Sequence, residues 1–177
     1  MASTPPPADM LALIEEMEAA RAALGDTARA AAIGRQTAAG KHSARARIAL
    51  LADAGSFEEF GALITPKRDT FDTEHLQAPA DGVVTGLARI DGRPVCLAAF
   101  DYSVLGGSNG RHGGLKIVRL ISTALEHGHP VVLLLDGGGH RIQEGLDSRH
   151  FAEGARSFQA MVQLSGWVPL VAVMTPL

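Results

Sequence analysis

The chain has 177 residues, of which 46% are hydrophobic and 20% charged; that is enough for one domain with a sizeable core and excludes wholesale disorder. A formal net charge of −3 argues against a broad nucleic-acid surface, which needs clustered positive charge. With 5% aromatic residues, including one Trp and one Tyr, a stacking platform for single-stranded nucleic acid is excluded as well.

The N-terminus, MASTPPPADM, lacks the basic region and apolar core of a secretory signal. No apolar stretch approaches the roughly 20 residues that span a bilayer, so the expectation is a cytoplasmic protein with no membrane partner. Residues 1–8 are expected to be disordered. Asp9 is a candidate cap for a helix carrying Leu11, Ile14, Met17 and Leu24 on one face. An Ala-rich segment continues to about Gly40. Residues 1–39 thus read as an N-terminal helical arm, either an interaction surface or a helix packed on its own domain. Lys41 to Leu51 reads as a short helix, with Ser43 as its cap and Ile48, Leu50 and Leu51 as apolar contacts. Residues 65–81 look like an irregular connection.

Gly82–Ile90 and Arg93–Phe100 read as two strands joined by Asp91-Gly92, a strong two-residue hairpin signal. Cys96, the only cysteine, excludes an intrachain disulfide and sits in an apolar run, as a buried small hydrophobe rather than a nucleophile. The Gly-rich segment Leu105–Gly114 feeds a helix with Leu115, Val118, Ile121 and Leu125 at helical spacing. Gly128 and Pro130 end it. Val131–Leu135 is a continuous apolar run, as in a buried strand. A second glycine loop, Asp136–Gly145, precedes a helix over Phe151–Leu164 with Phe151, Phe158, Met161 and Val162 as contacts, and Val168–Met174 is another buried strand. The order β-β-α-β-α-β gives an α/β domain with crossover helices. The last strand has no following helix to cover it, which leads us to expect part of a larger fold, either a fragment or a subunit completed by another chain.

The first glycine loop ends at a helix start, where free N–H groups and the positive dipole end suit a phosphate or a developing oxyanion; it can equally be a surface turn. No phosphate-loop pattern and no GxGxxG after a strand is present. The second loop, Asp136-Gly137-Gly138-Gly139-His140-Arg141, follows a strand's carboxyl end, the edge where open α/β sheets bind ligands. Its successive N–H groups can form an anion-binding concavity, although a tight turn uses glycines too. We expect it to line the largest pocket. The seven histidines include no HExxH, and His127 and His129 beside Gly128 fit helix-end contacts better than a metal site. No Ser/His/Asp triad is assembled by any local pattern.

Three stretches carry a resemblance: GKHSARARIALLADAGSFEEF from Gly40, DGVVTGLARIDGRPVCLAAFDYSVLGGSNGRHGGLK from Asp81, and DGGGHRIQEG from Asp136. In order, and over residues 40–177, they resemble the N-terminal domain of the carboxyltransferase (beta) subunit of biotin-dependent acyl-CoA carboxylases, of the propionyl-CoA or acetyl-CoA carboxylase type. The resemblance implies a crotonase-like fold of ββα units, a superhelix incomplete at the C-terminus here. It implies transfer of a carboxyl group from carboxybiotin to the α-carbon of an acyl-CoA. It implies a thioester enolate held by backbone N–H donors, here from Gly138, Gly139 and His140, with a second donor from a segment after the last strand. The phosphates of a CoA substrate need cations, and Arg111, Lys116 and Arg141, in or beside the two loops, are the candidates, with Gly106, Gly107 and Ser108 of the first loop as further substrate contacts; ordinary solvated surface charge is the alternative for each cation. Implied partners are a biotin carboxyl carrier, a biotin carboxylase component, and further copies or a complementing C-terminal carboxyltransferase chain. The family usually has Ala where this chain has His140; a backbone donor survives that change, and the side chain is expected to narrow the site or to alter substrate choice. A crotonase-superfamily acyl-CoA decarboxylase and a non-catalytic CoA-binding or assembly module are the competing readings.

Overall fold

The computed structural model describes residues 8–66, 77–145 and 148–174. Of residues 1–8, expected to be disordered, 1–7 lie outside the described residues and Ala8 already belongs to a helix; residues 175–177 and much of the connection expected over 65–81 also lie outside the described residues. The N-terminal segment forms helices α1 (Ala8–Ala22) and α2 (Ala30–Ala38). Asp9 lies inside the first turn of α1 rather than capping it, where its charge still favours the helix start. Of the expected α1 face, Leu11 is 64% exposed, and Ile14 and Met17 are exposed too, so α1 does not pack on its own domain. The arm is tied down further along, by Arg29 Nη1 to Asp101 Oδ2 at 2.7 Å and by Asp26 to Ser43.

Helix α3 (Ala44–Leu51) begins as expected: Ser43 Oγ accepts the Ala46 N–H at 3.0 Å, taking up a donor the helix cannot satisfy itself. Five strands follow, β1 (Glu58–Phe60), β2 (Val83–Ile90), β3 (Arg93–Phe100), β4 (Val131–Leu135) and β5 (Leu170–Met174), in a single sheet of that same spatial order. The first two pairs are antiparallel, β3–β4 and β4–β5 parallel. Asp91 and Gly92, with φ of 50° and 74°, make the β2–β3 turn, the positive-φ pair that matches strand twist. Helix α4 (Arg111–His127) crosses from β3 to β4; α5 (Ile142–Gly145) and α6 (Ser148–Leu164) cross from β4 to β5.

Strand alternation divides the core between two faces. Val83, Cys96, Ala98, Val131 and Leu133 pack against Ile117, Leu120, Ile121 and Ala124 of α4 and Ala160 and Leu164 of α6. Val84, Ala88, Val95, Leu97, Ala99 and Leu134 face the other way, onto Ala44 and Ile48 of α3. The mixed sheet is therefore the middle of three layers. The buried face of α4 is turned from the expected one: Ile117, Leu120, Ile121 and Ala124 are inside, while Leu115 is exposed. In α6, Ala160 and Leu164 face the core; Phe158 and Val162, half a turn away, are exposed instead of packed. The side chain of Phe151 lies outside the described residues. Strand β5 reads as a buried strand in sequence but, as its lack of a following helix leads one to expect, it is exposed along its whole length: it is the sheet edge and no described element is laid over it.

Candidate functional site

Strand β4 delivers Asp136 to the sheet's carboxyl edge. Its carboxylate is buried and accepts from Lys41 Nζ at 3.1 Å, with Arg47 Nη2 4.0 Å away. Arg47 also donates to the carbonyls of Phe100 and of Leu134. Burial pulls the Arg47 guanidinium below its ordinary range, against the pull of Asp136 and Asp101. Lys41 in turn stands over the Tyr102 ring, 4.5 Å from its centre. The first two turns of chain around α3 thus clamp the root of the second glycine loop.

The two glycine loops lie against each other. Asn109 N–H donates to the Gly139 carbonyl at 2.7 Å, Arg141 N–H to the Asn109 carbonyl at 3.0 Å, and Gly138 N–H to the Gly106 carbonyl at 2.9 Å. Asn109 and His140 form a short parallel bridge. A Cβ on Gly107 would stand 2.6 Å from Gly137 Cα, so backbone meets backbone here and no side chain fits. This stitching takes up the Gly138 N–H. Gly139, held at φ 95°, has no acceptor for its N–H among the described residues. Gly137, Gly139 and His140 line an open cleft of about 370 Å³ with Phe100, Asn109 and Met174. The loop is not on the largest cavity: one of about 590 Å³ lies between the helical arm and the segments at Ile64 and Val104.

Arg141 is 1% exposed and is the largest of the fully buried side chains. Its guanidinium pairs with Asp81 and lies 3.4 Å from Glu144 Oε2, and it donates to the Ser108 carbonyl at 3.1 Å. The two carboxylates then reach the start of α4: Asp81 Oδ2 accepts the Gly113 N–H at 2.6 Å and Glu144 Oε2 the Arg111 N–H at 2.8 Å. Carboxylates are stabilised at a helix N-terminus, and here they occupy two of the donors that the sequence offered to an external anion. Burial raises the Glu144 carboxyl above its usual range, with Asp81 adding to the rise and the Arg111 N–H and Arg141 opposing it.

Two of the three expected phosphate cations are therefore turned inward. Arg141 is neutralised by the buried pair. Lys116 is 2% exposed and donates to the carbonyls of Ala80, at 3.0 Å, and Val83; desolvation brings its ammonium down to about 8. Ser108 is committed to Arg141 through its carbonyl and its hydroxyl. Arg111 stays at the rim, bound through Nε and Nη2 to Glu153 of α6, both at 2.8 Å. Gly106 and Gly107 are where the loops meet. Sequence reading missed Asp81, Glu144, Lys41, Arg47 and Asn109, since each acts on residues far along the chain except for Glu144 on Arg141. Among the described residues no three His, Cys, Asp or Glu side chains converge as metal ligands, and no helix is long and apolar enough to cross a membrane.

Residues 35–176 match the carboxyl transferase domain family. The propionyl-CoA carboxylase beta chain of Roseobacter denitrificans is 38% identical over 162 residues, 92% of this chain and 31% of that one. The methylmalonyl-CoA carboxyltransferase 12S subunit of Propionibacterium freudenreichii subsp. shermanii is 42% identical over 142 residues, 80% of this chain and 27% of the relative. A crystal structure of transcarboxylase 12S, described as a hexamer assembly with methylmalonyl-coenzyme A and methylmalonic acid bound, superposes with a TM-score of 0.81 at 37% identity, over 99% of this chain and 33% of that one. The chain thus spans a third or less of the length of these proteins. On the strength of the family match and of an α/β fold shared along nearly its whole length, the chain belongs to the carboxyl transferase domain family.

Proposed function

We propose that this chain binds an acyl-CoA thioester and carries the enolate-stabilising half of a site in which a carboxyl group passes from carboxybiotin to the acyl α-carbon. The observation that carries this reading is the Gly139 N–H, without an acceptor among the described residues, on a loop lining an open cleft at the carboxyl edge of the sheet. Loss of the α-proton places negative charge on the thioester oxygen, and a preorganised backbone donor stabilises that charge without reorganising. No side-chain nucleophile is required. Carboxybiotin, carried on a partner protein, would supply the carboxyl group and, as it gives it up, the base for the α-proton. The chain's part is to seat the thioester and hold its oxygen. With Lys116 and Arg141 turned inward, a cation open to the CoA phosphates is Arg35, which is exposed and lines a cavity of about 510 Å³ together with Gly106.

The resemblance implies a second donor from a segment following β5, so the activity is proposed for this chain together with a complementing carboxyltransferase half, a biotin carboxyl carrier and a biotin carboxylase component, in an oligomer. The test is transfer of labelled carboxyl from carboxylated carrier to propionyl-CoA by the reconstituted assembly. Label above that given by the complementing half alone supports the reading. A folded chain that binds CoA yet adds no transfer overturns it in favour of a CoA-binding module.

A further inference from the structure

Behind the glycine loop lies a second, more enclosed cavity of about 220 Å³, between the sheet and helices α4 and α6. Its walls are Leu115, Ile117, Val118, Leu133 and Met161, with the Arg111–Glu153 ion pair at its border. It adjoins the open cleft: Phe100, Asn109, Leu135 and His140 line both. Of these four, His140 is exposed and lies on the loop itself. Its ring is seated on Gly145, where a Cβ would stand 2.8 Å from the imidazole Cδ2. His140 is thus a lining residue shared by the open cleft, which Gly139 also lines, and by the apolar cavity.

We propose that this cavity takes the hydrocarbon part of the acyl group, and that the imidazole of His140, which lines both cleft and cavity, sets the length of chain admitted. The proposal deepens the acyl-CoA reading and rests on it. An apolar wall of this kind gains affinity with each methylene it takes from water, a factor of about four per group when fully buried. A ring standing at the entry withholds that gain from longer chains. The imidazole is thus a specificity-determining group, separate from the backbone donor on the same loop.

The test is calorimetric binding of CoA, acetyl-CoA, butyryl-CoA and hexanoyl-CoA to the chain and to His140→Ala. The expected result is a hexanoyl-to-acetyl affinity ratio at least about tenfold higher in His140→Ala, with CoA itself bound equally. Leu115→Trp, added to His140→Ala at an exposed wall position, is expected to erase the gain by filling the cavity. Gly145→Ala, which forces the imidazole to shift, is expected to change the ratio while His140 is still present. Equal ratios in the chain and in His140→Ala overturn this inference but leave the acyl-CoA reading standing. Failure of both chains to bind CoA or any acyl-CoA, with circular dichroism unchanged, overturns the two together.

Discussion

Lys41 and Asp136, 95 residues apart, meet at 3.1 Å and join the start of α3 to the end of β4. The Asp136 side chain is 1% exposed and the Lys41 side chain 14%, so the carboxylate is the deeper partner. Removing it takes the ion-pair partner from Lys41 and leaves Arg47 with only the weaker pull of Asp101, whereas removing Lys41 leaves Arg47 in place. Asp136→Ala is expected to cost about 3–5 kcal/mol, the usual penalty for breaking a buried pair, and Lys41→Met clearly less. Urea denaturation of the two variants measures the difference; equal costs would mean that Arg47 does not support Asp136.

Arg141 answers to two buried carboxylates, and its loss leaves both unpaired beside the start of α4. Arg141→Met is expected to destabilise the fold by about 3–5 kcal/mol. Because the guanidinium is internal, added salt or phosphate should not alter that loss. A surface phosphate-binding arginine would behave in the opposite way, with little stability change and a weakened affinity for CoA. Thermal unfolding with and without phosphate, alongside CoA titration, separates the two.

Lys116 gives the stability a pH signature. Its folded value, brought down to about 8 by desolvation, lies below the ordinary 10.5. Between these values the unfolded chain binds a proton that the folded chain does not, so the contribution is complete above about 10.5 and is lost as pH falls through about 8. Cys96, raised to about 11 by burial, acts in the opposite direction above its ordinary 9.0. The clean interval is therefore pH 8 to 9. There the unfolding free energy, relative to Lys116→Met, is expected to rise with pH by up to about 1.4 kcal/mol per unit. A flat difference between the two chains across that interval would falsify the assignment of a desolvated ammonium.

Gly139 is the donor on which the proposed chemistry depends. Gly139→Pro removes its N–H and imposes a negative φ where the chain has 95°. In the reconstituted assembly, carboxyl transfer is expected to fall by at least about 100-fold, the scale of one oxyanion donor. Gly139→Ala keeps the N–H and meets no atom within 4 Å of its new Cβ, so it carries only the backbone strain. It is expected to retain substantially more activity than the proline variant. Equal losses from the two would assign the defect to loop shape rather than to the donor.

Much of the architecture is local information. Asp91-Gly92 between two alternating strands, Ser43 ahead of α3, and Gly128 with Pro130 after α4 each act through bonds a few residues long, and each is readable from the sequence and found in the structure. Strand β1 is the counter-example. Glu58–Phe60 is three residues with no apolar alternation, and only its pairing with Gly86 and its neighbours makes it a strand. Helix faces slipped for a related reason: periodicity says that α4 and α6 have an apolar side, but the sheet decides which of several adjacent stripes is pressed onto it.

The sequence by itself determined that a glycine loop follows a buried strand. What the tertiary structure decided is which groups near that loop face a ligand. Arg141 and Lys116 carry charges that look available in a linear chain, yet folding buries them, and a buried charge is held only by partners close in space: Asp81 and Glu144 for one, two carbonyls for the other. The same carboxylates close the helix start that the first loop seemed to offer. Backbone geometry follows from neighbours in sequence, whereas the availability of a charge follows from what is packed around it, and most of that comes from far along the chain.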